Sequence, residues 1–314
     1  MESKNNWKGW LYLAPVLILM VVFTFYPLFK TILIAFLKDY DYINDSVLNC
    51  LFTKGLTLDN FGYVLGITPK ISNGVEMYYT PVIEYAIPNT FIIVFVTVPL
   101  SIIISLLIAV ALNSIKALTK VFQTIFFVPY VTNAIAIGMV FSVVFAGHNG
   151  LWNTIFHLGD TYWVDMAAPR SRAMFALCVY IIWHALPYKI LIFLSGLQGI
   201  DKQYYQAAKI DAASKFKTFM NVTVPLLSPQ IVYVLITSLI GSFKEYSSVV
   251  GLFNQPGTSK GSLNMLTIVY YIYECMEQPQ QLIPLAAAAA VILFIIILIF
   301  TAIQKVVTDK KVHY

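Results

Sequence analysis

Charge is scarce in this chain. Only 11% of its 314 residues are Asp, Glu, Lys or Arg, 59% are hydrophobic, and the mean hydropathy is +0.76. A soluble domain carries about 25% charged residues, so a water-soluble core is excluded and the composition is that of an integral membrane protein. The net charge of +5 carries no nucleic-acid reading, because the lysines are scattered among apolar runs and form no basic stripe. Cysteine is equally sparse. Cys50, Cys178 and Cys275 form no C-x-x-C and stand at no metal-like spacing with His148, His157, His184 and His313. Cys178 falls in an expected span, and a disulfide between Cys50 and Cys275, both expected outside, is left open. The sequence also lacks G-x-x-x-x-G-K-[ST], H-E-x-x-H and G-x-S-x-G, which excludes an ATP site and leaves no catalytic constellation, metal site or cofactor site in the chain.

What is present is length of apolar run. A helix needs about 20 apolar residues to cross the hydrocarbon core, and the runs predict an all-α protein of a single transmembrane domain with six spans, at about 11–36, 85–112, 121–145, 173–195, 230–252 and 282–303. Lys4 and Lys8 precede the first run as in a secretory signal, but Leu11–Phe36 far exceeds a 7–15 residue signal core, and no small-x-small cleavage site follows. It is therefore expected to be the first span. Asn113–Lys120 predicts a tight hairpin. The stretches 37–84, 146–172 and 253–280 are expected on one face, the first as a small ordered cap rich in turn residues.

Lysine sets the orientation. Lys4, Lys8, Lys116, Lys120, Lys202, Lys209, Lys215, Lys217, Lys305, Lys310 and Lys311 fall on one side, against Lys38, Lys54, Lys70, Arg170, Arg172 and Lys260 on the other. The positive-inside rule puts the first group, both termini and the polar insert 196–229 in the cytoplasm of a multi-pass cell-membrane protein.

That insert is the longest polar interruption between apolar spans on the lysine-rich side. It reads as two short helices meeting at a turn, the first capped by Asp201 and running through Ile210. The second is expected to be capped by Asp211, with Ala212, Phe216, Phe219 and Met220 at helical spacing. Small residues at Ala207, Ala208, Ala212 and Ala213 let another surface approach the turn, and Pro225 and Pro229 close the unit.

Gln206-Ala207-Ala208-Lys209-Ile210-Asp211-Ala212-Ala213, with Phe216, Phe219 and Val224-Pro225-Leu226-Leu227-Ser228-Pro229, resembles the "EAA" loop of permeases of binding-protein-dependent ABC importers. Gln206 replaces the family's Glu and Ala212 its Gly. Leu13-Ala14-Pro15, Phe25-Tyr26-Pro27-Leu28, Leu58-Asp59-Asn60-Phe61, Pro88-Asn89-Thr90, Phe126-Phe127-Val128-Pro129, Gly150-Leu151-Trp152-Asn153 and Gly196-Leu197-Gln198-Gly199-Ile200 extend the resemblance to the first permease of the maltose and glycerol-phosphate class. Asn254-Gln255-Pro256-Gly257 departs from the family's G-G-P-type turn.

The resemblance implies a non-enzymatic permease for a sugar or oligosaccharide. Its implied partners are a second, similar permease, two ATPase subunits that carry ATP and Mg, and an extracellular solute-binding (lipo)protein. Gln206, Ala207, Ala208, Asp211, Ala212, Ala213, Phe216 and Phe219 would couple it to the ATPase. For the substrate pathway the sequence offers Trp183 and His184 near the centre of span four, and Phe243, Lys244, Glu245 and Tyr246 in span five. Adjacent ionisable groups in a span normally face a wet cavity or a partner, so headgroup contact, pairing with the other permease and a pathway role stay open for Lys244 and Glu245. Packing stays open for His184. The rival class is a stand-alone secondary carrier or channel, against which stands the absence of inverted half-repeats.

Overall fold

The computed structural model describes residues 6–72, 75–77, 81–115, 124, 128, 130–165, 167–253, 265–277 and 279–309. They are mostly helical. The helices are α1 (Trp7–Phe36), α2 (Val47–Thr53), α3 (Asp59–Val64), α4 (Val82–Ser114), α5 (Ala134–Val144), α6 (Leu151–Phe156), α7 (Arg170–Gln198), α8 (Lys202–Ile210), α9 (Lys215–Leu226), α10 (Ser228–Phe243), α11 (Ser247–Phe253), α12 (Ile268–Glu277) and α13 (Pro279–Asp309). A two-stranded antiparallel hairpin, β1 (Lys70–Ser72) and β2 (Val75–Met77), pairs Ile71 with Glu76.

Among the described residues four helices are long and apolar enough to cross a membrane: α1, α4, α7 and Leu282–Thr308 within α13. α9 and α10 together make a fifth candidate, bent by 69°. Two expected spans differ from the structure. Of 121–145 only α5, 11 residues long, forms a described helix of length, and residues 116–123, 125–127 and 129 lie outside the described set. The expected span 230–252 is broken, because α10 stops at Phe243 and α11 starts at Ser247.

Three π-helical turns share one cause. Val21–Phe25, Val82–Ala86 and Phe219–Thr223 each end two residues before a proline, Pro27, Pro88 and Pro225. Proline has no N–H, and its ring clashes with the carbonyl four residues back. The ladder just upstream slips to i→i−5 bonds: Tyr26, Ile87 and Val224 donate to Val21, Val82 and Phe219.

The chain divides into two compact units, Met1–Thr80 with Tyr271–Phe294, and Pro81–Tyr270 with Ile295–Tyr314. In the first, the buried amide of Asn60 donates to Ala35 O and Leu37 O, at 3.0 and 2.9 Å, and so satisfies carbonyls at the end of α1. Phe61 packs on Phe36, ring centroids 4.9 Å apart. Cys50 and Cys275 are buried free thiols, and the Cys50 thiol donates to Lys38 O at 3.4 Å.

In the second unit α4 lies along α7, α10 packs on α4, and α5 crosses α11. The crossing requires glycine. A Cβ on Gly138 would stand 2.7 Å from the Gly251 backbone, and one on Gly251 would stand 2.8 Å from Ile135 O, so the two backbones touch where only hydrogen is present. Ile93, Phe145, Leu177, Ile181, Val249 and Met265 fill the core. Phe243, 1% exposed, packs edge-on against Phe91 and tilted on Phe300.

Candidate functional site

The insert takes its shape from its caps. Asp201 Oδ1 accepts from Gln203 N at 3.0 Å and starts α8. At the other end Ala212 N donates to Lys209 O at 3.1 Å and Ala213 N to Ala208 O at 3.0 Å, with Ala212 at φ +50°. This is a Schellman turn built on alanine where glycine is usual. Asp211 is therefore the C-cap of the first helix and not, as expected, the cap of the second. Ser214 caps α9 by accepting from Lys217 N at 3.3 Å, because the left-handed residue at 212 delays the restart of the helix. Ala212 consequently lies outside the second helix.

The Tyr205 and Thr223 hydroxyls, 3.3 Å apart, tie the two helices together. The turn leaves Ile210 85% and Phe216 74% exposed, beside exposed Gln206, Ala207, Asp211 and Ala212, while Ala213 and Phe219 are half-buried. Ala208 departs from the expected surface: it is buried at 8%, because α8 turns that face toward the body of its own insert.

A groove of about 630 Å³ opens where α7, α9 and α10 approach. Tyr130 stacks on Tyr188 with centroids 5.4 Å apart and planes 15° apart, and the Tyr188 and Tyr233 hydroxyls meet at 3.1 Å. Gln230 lines the wall, and its Oε1 is buried without a hydrogen-bond partner among the described residues. Gly196 makes room for it, since a Cβ there would sit 3.0 Å from Gln230 Cγ and 2.8 Å from a Leu227 methyl. An aromatic face and a phenol hydroxyl suit a flat, hydroxyl-rich solute. Beside Tyr188, Lys189 is 5% exposed and donates to Ser101 Oγ of α4, so its charge faces away from the groove.

The residues singled out from the sequence for the pathway are not brought together here. Trp183 packs on Phe141 at 5.0 Å, and His184 lies 6.0 Å from Tyr180 with a buried Nε2 that lacks a partner among the described residues. Neither lines the groove. Phe243 is core. Lys244 and Glu245 occupy no continuous helix: Lys244 N and Glu245 N bond Gly241 O and Ser242 O as α10 ends, and Glu245 Oε1 accepts from Ser248 N at 3.0 Å to start α11. Lys244 is exposed, and Tyr246 stacks on Tyr270 at 5.9 Å. The missed residues, Tyr130, Tyr188, Tyr233 and Gln230, carried one signal, polar tips inside apolar runs.

Residues 101–313 match the family described as "Binding-protein-dependent transport system inner membrane component". The chain is 28% identical to the lactose transport system permease protein LacF of Rhizobium radiobacter over 278 residues, 85% of this chain and 82% of that one. It is 30% identical to the arabinooligosaccharides transport system permease protein AraP of Halalkalibacterium halodurans over 269 residues, covering 83% and 75%. A chain from the crystal structure of a bacterial ABC transporter involved in the import of the acidic polysaccharide alginate superposes with TM-score 0.76 at 18% identity, over 99% of this chain and 98% of that chain. At that identity the likeness speaks to fold.

Proposed function

The chain belongs to the binding-protein-dependent transport system inner membrane components, and from that premise we propose that it is a permease subunit of an ATP-driven importer for a sugar or oligosaccharide. As a six-span subunit it forms half of the translocation pathway with a second permease, receives solute from an extracellular binding protein, and is driven by two cytoplasmic ATPase subunits. Both termini and the 196–229 insert lie in the cytoplasm. The names of the relatives LacF and AraP favour a carbohydrate.

The observation that carries the reading is the turn at Ala212. It holds Ile210 and Phe216 out of their own protein on a rigid helix–turn–helix, as a surface made to seat in a partner's groove. The chain has no phosphate-binding loop of its own, so the ATPase is separate. In the groove, a pyranose face stacks against Tyr188, whose hydroxyl, shared with Tyr233, takes one of its hydroxyls. The test is uptake of a panel of labelled sugars by cells or liposomes that hold this chain with its neighbouring subunits. ATP-dependent uptake that needs all subunits is expected, and is lost in Ala212→Arg with the permeases still assembled. Uptake by this chain alone would establish the stand-alone carrier instead.

A further inference from the structure

A second groove, of about 640 Å³, lies within the first unit between α1 and the segment that follows it, lined by Tyr26, Phe29, Lys30, Tyr42, Asp45 and Leu48 among others. Its position along the bilayer follows from the helix. Trp10 and Lys30 are 20 residues apart, about 30 Å along the axis at 1.5 Å per residue, which equals the thickness of the hydrocarbon core. With the exposed Trp7 and Trp10 in one interfacial belt, Lys30 stands at headgroup level in the opposite leaflet.

The groove's charges are uneven. Among the described residues that line it, Asp45 and Lys30 are the only ionisable ones apart from tyrosines. Asp45 Oδ2 is already engaged, accepting from Lys54 Nζ at 2.6 Å and from Asp41 N at 3.0 Å. Lys30 is half-buried and has no hydrogen-bond or ion-pair partner among the described residues. A cation held at that depth is stabilised by an acceptor that the described residues do not supply. Below it, toward the bilayer centre, Tyr26, 63% exposed, and Phe29, 66% exposed, leave an apolar strip open.

We infer that this groove binds one anionic phospholipid, its phosphodiester oxygens on Lys30 and an acyl chain laid along Phe29 and Tyr26. The neutralised Asp45 leaves no free anion to favour a choline or ethanolamine group, so selection is for net negative headgroups. That this leaflet is the outer one rests on the orientation proposed above; the lipid preference does not.

The test uses the complete transporter in nanodiscs of equal phosphatidylglycerol and phosphatidylcholine, with the lipids retained per complex counted by native mass spectrometry. Lys30→Met is expected to lower the phosphatidylglycerol preference at this site about fivefold, the effect of one basic residue near a charged surface, and Lys30→Arg to keep it. Leu48→Glu, which leaves α1 untouched, should lower it in the same direction and covers the case of poor assembly in Lys30→Met. Equal phosphatidylglycerol retention in wild type and both loss variants overturns the inference. So does a photo-crosslinker at Phe29 that reacts with another subunit in place of lipid.

Discussion

Arg170, the first residue of α7, donates from Nε and Nη2 to the amide oxygen of Asn89 in α4, at 3.1 and 2.7 Å, with its guanidinium 5.3 Å from the Tyr85 ring centre. The same amide, 1% exposed, donates from Nδ2 to Leu266 O at 2.9 Å, and the next residue, Thr90, accepts from Ile268 N at 3.2 Å. Asn89 and Thr90 therefore fasten the chain leading into α12 to α4, and Arg170 is a partner in that junction.

Removing Asn89 leaves a guanidinium and a carbonyl without their partner. A buried group stranded in this way costs about 1–3 kcal/mol. Asn89→Ala is expected to lower the melting temperature in detergent. It should also make a cysteine placed at Thr267, 1% exposed in the native chain, label faster than in the Asn89 background. Unchanged labelling would show that the junction does not hold residues 265–268.

Ala212 at φ +50° carries a Cβ where only glycine is free of penalty, a strain of about 1–2 kcal/mol. Ala212→Gly relieves it at some cost in chain entropy, so stability is expected to rise by about 1 kcal/mol or less while transport is kept. Ala212→Val, branched at Cβ, should lower both stability and coupling. Thermal unfolding and ATP-driven uptake measured on the pair decide it.

Legibility varied with the range of the forces involved. Long apolar runs make α1, α4, α7 and α13 readable, and Asp201 announces α8 because a cap acts within three residues. The second cap is not readable, because the left-handed turn falls on alanine and sends no glycine signal; only the bonds to Ala208 O and Lys209 O reveal that Asp211 closes one helix and Ser214 opens the next. The break at Lys244 depends on a distant contact, the Thr267 hydroxyl donating to Glu245 O at 3.0 Å, which no local pattern reports. Tyr130, Tyr188 and Tyr233 come from three segments, and their meeting is a product of helix packing.

The Gly138–Gly251 crossing tolerates no side chain larger than hydrogen without displacement of backbone. Gly251→Leu is expected to push α11 off α5 and to cost several kcal/mol, at the upper end of overpacking effects, whereas Gly241→Ala, with nothing within 4 Å of a Cβ, should be neutral or stabilising. Expression and melting temperature of the two variants provide the contrast.

At the water-exposed segment after α1, the hydrogen bond from Lys54, with help from the Asp41 N–H, holds the Asp45 carboxyl below the usual carboxylate range. A lowered folded-state value means that the pair's stabilisation is present above the unfolded value of about 3.9 and is lost as pH falls through the folded one. Lys54 Nζ, held by Asp45, also donates to Asp39 O at 2.8 Å, so the pair ties the two ends of this segment together. Limited proteolysis of this segment should accelerate below about pH 4, and Asp45→Asn should show the accelerated rate already at neutral pH.

The groove makes a prediction that separates stacking from hydrogen bonding. Tyr188 offers both, a ring face already stacked by Tyr130 on one side and a hydroxyl shared with Tyr233. Tyr188→Phe keeps the ring and loses the hydroxyl, and a single hydrogen bond is worth about 0.5–1.5 kcal/mol, so the half-saturation concentration for uptake is expected to rise only a few-fold. Tyr188→Leu also loses an aromatic contact worth about 0.5–1.5 kcal/mol, and a rise of about tenfold or more is expected. Gln230→Glu puts a charge on the acceptor that is buried and unmatched in the structure, and should weaken neutral sugars less than acidic ones because a second anion is repelled. Assembly and ATPase activity are measured alongside, to show that the complex remains intact. If all three variants take up every sugar with unchanged half-saturation, the groove lies off the pathway, and the exposed Trp183 and its half-buried neighbour His184 become the next residues to substitute.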